Sequence, residues 1–298
     1  MKFITIPLLL TVAAGIAYSA VDLNQLSTNT DTAINQAVET GLIPGAVLVV
    51  GHQNQVIYRK AYGFRALIPA KEPMTIDTIF DVASLTKVVA TTPSIMKLFE
   101  QGKIRMDDPV TKYLPEFQGG KSPITVRLLM THFSGLPPDI ELTPGAGYDA
   151  AIQKCLHTEP VAPPGARFIY SDINFQLLGE IVRRLSGTSL AQFAAEQIYR
   201  PLGMKDTGFL PAADLIPRIA PTELDPETKR PLRGVVHDPR SRYMGGIAGH
   251  AGLFTTAGDL ARYAQMLLNL GTLDGTRILS ASTVEKFYEP ASPADQPI

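Results

Sequence analysis

The chain has 298 residues, of which 45% are hydrophobic and 18% charged, with a formal net charge of −1. This length and composition suit one large domain or two intimate lobes and exclude a disordered chain. A near-neutral balance without basic runs or interleaved aromatics gives no support to nucleic-acid binding, and no nucleic-acid partner is expected.

At the N-terminus Lys2 precedes an apolar run from Phe3 to Ala17, and Ala17-Tyr18-Ser19 offers small residues for cleavage. The pattern reads as a signal peptide over residues 1–20 with a mature domain over 21–298, and it predicts a secreted or periplasmic protein. The run is short for a bilayer span and contains Pro7, so membrane proximity is expected only through this segment. A single cysteine, Cys155, excludes an internal disulfide. Cys155-Leu156-His157 has no second cysteine and no spaced histidine pair to support it, and reads as a helical Cys beside a surface His. His52, His132, His237 and His250 are scattered without ligand spacing, so neither a metal nor another cofactor is expected.

Asp22 to Gly41 reads as an amphipathic helix with Leu26, Ala33, Ile34, Ala37 and Val38 inward and Gly41 as its stop. Two apolar runs, Ala46–Val50 and Val56–Gly63, flank His52-Gln53-Asn54-Gln55 and predict a β-hairpin. A helical tract from Ser84 to Gln101 follows, ended by Gly102 and kinked at Pro93, with Leu85, Val88, Val89, Ile95, Met96 and Phe99 toward the core. Thr125 to Phe133, Asn174 to Ser186, Leu190 to Tyr199, Gly258 to Leu270 and Ser280 to Tyr288 are further helices. Pro201 to Met244, rich in Pro, Arg and Asp, reads as long surface loops. The order, a hairpin and then a helical insertion, suggests a mixed domain interrupted by a mostly helical lobe.

Ser84-Leu85-Thr86-Lys87 carries the chemistry. A serine hydroxyl needs a neighbouring base to become a nucleophile, and positions i and i+3 share a helix face. About one such tetrapeptide is expected by chance in a chain this long. Ser94-Ile95-Met96-Lys97 is a second match, read as a solvated pair because it lies deep in the same helix after Pro93. Ser84 is therefore the candidate nucleophile, with Tyr170-Ser171-Asp172 as a second polar cluster downstream.

Several patterns coincide in order. They are Phe80–Lys87, Gly102–Val110, Leu128–Leu136 (Leu-Leu-Met-Thr-His-Phe-Ser-Gly-Leu), Pro164–Asp172 and Phe175–Gly179. Together they resemble the class C β-lactamase-like serine hydrolases, which include penicillin-binding-protein-like peptidases and family VIII esterases. The resemblance covers roughly residues 30 to 290. It implies an α+β fold of the β-lactamase/DD-peptidase type, an antiparallel sheet flanked by helices plus a mostly helical lobe. It also implies an acyl-enzyme on Ser84, with Lys87 and Tyr170 sharing proton transfer. The substrate would be an ester, a peptide-like amide or a β-lactam, either a small molecule or derived from peptidoglycan. Asp172 stands where the family most often has Asn, and is expected in the substrate-binding set. It can accept from Lys87 but cannot donate as an amide does, which weighs against a β-lactam substrate more than against an ester or peptide.

In the family a third motif, Lys or His followed by a small residue and Gly, lies on a sheet-edge strand. His250-Ala251-Gly252 matches it by spelling, which makes His250 a second substrate-binding candidate. Gly252–Tyr263, however, resembles the segment that enters a helix upstream of that strand. On that alignment the third motif falls after residue 298, and the chain reads as C-terminally truncated. The second oxyanion donor would then be missing, at a cost of ~2.7–4 kcal/mol in the transition state, and a sheet edge would be exposed. The alternatives are a non-catalytic cell-envelope binding or regulatory homologue with an incomplete site, or an incomplete gene product.

Overall fold

A computed structural model describes residues 21–291. The signal-peptide reading falls on residues outside that range.

Helix α1 (Leu23–Glu39) starts where the Asp22 carboxylate accepts the N–H groups of Asn24 and Gln25, and Gly41, at φ +74°, follows its end. Leu26, Ile34, Ala37 and Val38 are half-buried as the pattern predicted, but Ala33 is exposed. Asp31 anchors this helix to the sheet by accepting from Tyr58, Tyr62 and Lys60. Strands β1 (Gly45–His52) and β2 (Gln55–Ala66) form the predicted hairpin, closing on Gln53 and Asn54 at φ +47° and +64°. With β3 (Glu72–Pro73) they make an antiparallel sheet of order β1-β2-β3, in which β1 is an edge.

Strand β4 (Ile79–Asp81) leads into the segment that carries Ser84. The helix there opens with a π turn, Lys87–Thr91, and continues as α2 (Thr92–Glu100). Pro93 explains the wide turn, because it has no N–H for the Val89 carbonyl. The Thr92 N–H reaches back to Lys87 O, and the freed carbonyls of Val88 and Val89 accept from the hydroxyls of Tyr263 (2.7 Å) and Tyr199 (3.3 Å). The extra residue also changes which side chains face inward. Val89, Ile95 and Met96 are buried, whereas Leu85 and Val88, read as core residues, are 47% and 50% exposed.

The helical lobe comprises α3 (Val126–Met130), α4 (Tyr148–His157), α5 (Asp172–Ser186) and α6 (Leu190–Ala194), the last continued by a π turn at Ala195–Tyr199. Its core gathers Leu98, Ile104, Leu114, Phe117, Leu129, Leu156, Leu178 and Ile181, all at most 1% exposed. Cys155 is buried here against Gln176, while His157 is exposed. The rest of the chain holds α7 (Arg200–Leu202), β5 (Gly208–Phe209), α8 (Pro239–Tyr243), β6 (Leu253–Thr256), α9 (Ala257–Leu268), the β7 (Thr272–Leu273)–β8 (Thr276–Arg277) hairpin and α10 (Ala281–Tyr288). Strands order as β4-β6-β5, all antiparallel, which sets β6 beside the approach to Ser84. The segment after Gly252 therefore runs from strand into helix. Among the described residues no helix is long and apolar enough to cross a membrane.

Candidate active site

Ser84 sits on the turn between β4 and the π turn, exposed to solvent. Ala83 before it holds φ +45°, an uncommon conformation for a residue with a Cβ, and its N–H is tied to Asp81 Oδ1 at 2.8 Å. The turn is held from outside as well: Val82 N–H donates to Leu253 O, and Leu253 N–H donates to Thr86 Oγ1.

Lys87 is 3% exposed, and its ammonium group faces three oxygens. It donates to Ser84 Oγ at 3.0 Å and to the His250 carbonyl at 3.2 Å, and it lies 2.7 Å from Asp172 Oδ1. The last contact is an ion pair off the hydrogen-bonding line, since that oxygen receives no hydrogen bond. The Lys87 ammonium also lies 4.8 Å from the centroid of the Tyr170 ring. Tyr170 is 46% exposed, and its contacts within the described residues are made by its ring, its hydroxyl making no hydrogen bond there. The fold thus gathers Ser84, Lys87, Tyr170 and Asp172, with the tyrosine meeting the lysine by its ring and not by its oxygen.

His250 takes a different place from the one a substrate contact requires. It lies just before β6 and not on a sheet-edge strand, and it is 1% exposed. Its backbone carbonyl holds Lys87, while its Nε2 meets Asp238 Oδ1 at 3.1 Å. Burial pushes the Asp238 carboxyl up. The hydrogen bond and charge of His250, the Ser241 N–H and Arg240 outweigh burial and leave that carboxyl at about 2. Asp172, Asp238 and His250 have polar atoms within 4.8 Å of one another, a cluster compact enough to attract a small cation. The Lys87 ammonium, 2.7 Å from Asp172, is the cation that the fold supplies there.

Two residues without an assigned role in the sequence help build this site. Asp238 lies in the stretch read as surface loop, where it caps α8 through the Ser241 N–H. His132, 8% exposed, stacks on the Tyr170 ring with centroids 4.4 Å apart and planes inclined at 29°. The segments 137–147 and 233–249 do not line the cavity at Ser84. Pro137 and Pro138 instead support the tyrosine segment by accepting from Ser171 Oγ and Asp172 N. The cavity itself, about 720 Å³, opens beside Ser84, Lys87 and Tyr170 and is walled by Val82, Leu85, Val88, Met106, Met130 and Phe175. Ser94, the second candidate of its kind, is buried and donates to Ala90 O, so it is not solvated and does not line this cavity.

This fold and this Ser-x-x-Lys site place the chain in the β-lactamase family of serine hydrolases, and the family model described as Beta-lactamase matches residues 30–297. The chain is 35% identical over 300 residues to a protein of Escherichia coli K12 named a putative D-alanyl-D-alanine carboxypeptidase, covering 89% of this chain and 68% of that one. It is 32% identical to a Bacillus subtilis protein named N-acetylmuramyl-L-alanine amidase, covering 90% and 69%. The solved octameric penicillin-binding protein homologue from Pyrococcus abyssi superposes with a TM-score of 0.73 at 28% identity. That match covers 91% of this chain but only 61% of the other.

Proposed function

We propose that this chain is an exported serine acyl-transfer hydrolase with Ser84 as nucleophile. The observation that carries the reading is the 3.0 Å contact between Ser84 Oγ and the buried Lys87 ammonium at the mouth of a cavity. Lys87 must be neutral to accept the serine proton. Once the Asp172 carboxylate turns into line, a proton moved across their 2.7 Å contact leaves an amine and a carboxylic acid with no change of net charge. As the Ser84 Oγ–carbon bond forms, the hydroxyl proton passes to Lys87 and the carbonyl π electrons move to oxygen. Collapse of that intermediate expels the leaving group, which takes the proton, and water repeats the sequence on the acyl-enzyme. Tyr170, whose ring lies against Lys87, shares the proton transfer through its hydroxyl, which turns to the leaving group at the cavity that it lines. The Ser84 N–H, which makes no hydrogen bond within the described residues, is placed to donate to the developing oxyanion.

The substrate is an ester, a peptide-like amide or a β-lactam. The names of the E. coli and B. subtilis relatives favour a fragment of peptidoglycan, acted on outside the cytoplasm. The test is intact mass after exposure to a fluorophosphonate, beside a Ser84→Ala control. One adduct on the wild type and none on the control supports the reading. A folded wild type without adduct refutes it in favour of a non-catalytic envelope protein.

A further inference from the structure

His132 touches the tyrosine segment at three points. Its carbonyl accepts the Ile169 N–H at 2.9 Å, its Nδ1 accepts the Ser171 N–H at 3.0 Å, and its ring stacks on Tyr170. A backbone N–H can only donate, so Nδ1 carries no proton and any ring proton is on Nε2. Asn174, itself fixed by Ser134 Oγ at 2.6 Å, approaches the same Nδ1 at 3.4 Å. Phe168 and Phe175 complete the surroundings of the ring, and Lys87 and Asp172 are the charged groups that face it. Among the described residues the Tyr170 hydroxyl meets no partner, so what these residues give this side chain is what its ring packs against and the backbone that carries it. His132 supplies both, at φ +62°, where histidine and asparagine are tolerated better than most residues with a Cβ.

We propose that His132, as the neutral imidazole, is a positioning residue that sets Tyr170 and Asp172 against Lys87. The hydrogen bond to the Ser171 N–H fixes the one residue between them. Burial, followed by the nearby Lys87 cation, holds the imidazole down at about 4, so the acceptor at Nδ1 persists near neutral pH. A charged imidazole would turn a second donor toward the Ser171 N–H and break the contact. The inference rests on the Ser84–Lys87–Tyr170 reading.

The test compares fluorophosphonate labelling of Ser84 and turnover of p-nitrophenyl acetate in the wild type, His132→Phe and His132→Asn, each beside a melting curve. His132→Phe keeps a ring for the stack but no acceptor. Labelling and kcat are expected to fall about tenfold or more, with KM within about twofold, because a displaced reacting group costs rate more than binding. In His132→Asn a carboxamide oxygen can accept the Ser171 N–H, and the backbone conformation is tolerated. Labelling is expected within about threefold of wild type. His132→Ala replaces the Phe variant, with the same expectation, if that variant does not fold. Wild-type labelling in the acceptor-less variants overturns the proposal, as does an equal fall in all variants that tracks their melting temperatures. An unlabelled, folded wild type overturns the Ser84 reading and this one together. A labelled wild type with unaffected variants overturns His132 alone.

Discussion

Replacing His132 by Asn should change how stability depends on pH, by an amount that the surroundings of the ring set. The imidazole is 8% exposed and held at about 4 against an ordinary value of 6.5, by burial first and the Lys87 cation second, with Asp172 opposing. Between those values the unfolded chain takes up a proton here that the folded protein declines. Stability therefore rises with pH through the window and is lost as pH falls from about 6.5 to about 4. At ~1.4 kcal/mol per unit, the loss is on the order of 3 kcal/mol. Burial pushes the Asp139 and Asp259 carboxyls up, which acts with the opposite sign at the acidic end, so the wild-type curve alone is not decisive. Both carboxyls remain in His132→Asn, and subtraction isolates the imidazole. Urea unfolding at pH 7, 6, 5 and 4 gives the difference curve. It should be level near pH 7 and move by about 3 kcal/mol against the wild type by pH 4. A flat difference would refute the reasoning.

Three further outcomes are expected. Lys87→Ala should slow fluorophosphonate labelling of Ser84 by at least about 10²-fold in a time course, because the neighbouring proton carrier is gone. Gly249→Ala would place a Cβ 1.9 Å from the Phe175 carbonyl oxygen, a backbone atom that cannot swing away. It should cost about 3 kcal/mol or more in urea unfolding and slow labelling, since the next carbonyl holds Lys87. Glu180, fully buried, accepts from Arg183, Arg184 and Tyr148. Glu180→Ala should destabilise by about 2–3 kcal/mol, below the value for a fully buried pair because the two arginine side chains are 46% and 27% exposed. No change in the denaturation midpoint would contradict that.

The amino-acid order reveals Ser84 and Lys87 because both belong to one helical start, where spacing alone brings side chains together. The hairpin and the caps at Asp22, Thr125 and Ser280 are equally local and equally readable. Leu85 and Val88 went astray for a physical reason: the period of 3.6 fails at a π turn, and their face borders the cavity, not the core. His132 belongs to a motif that the resemblance had marked, yet its role depends on Ser171, 39 residues away. Asp238 was hidden in a stretch without periodicity, and its one visible signal was a carboxylate directly before Pro239, a helix-start pattern. His250 shows the opposite failure. His-Ala-Gly spelled a sheet-edge motif, but a tripeptide says nothing of whether its side chain faces solvent, and here the backbone carbonyl makes the contact.

The tyrosine hydroxyls that replace the missing helical donors also tie this turn to parts of the chain made much later. The Val89 and Val88 carbonyls wait for residues 110 and 175 positions later, and Lys87 waits for a carbonyl 163 positions later. A ribosome that has released the N-terminal third of the chain has exposed Ser84, Lys87 and the Thr92 N–H that closes the π turn, but neither tyrosine that meets its freed carbonyls. Contacts of such long sequence separation form late and raise the topological cost of folding. The π turn that carries Lys87 is therefore complete only once Tyr263 has emerged, late in translation.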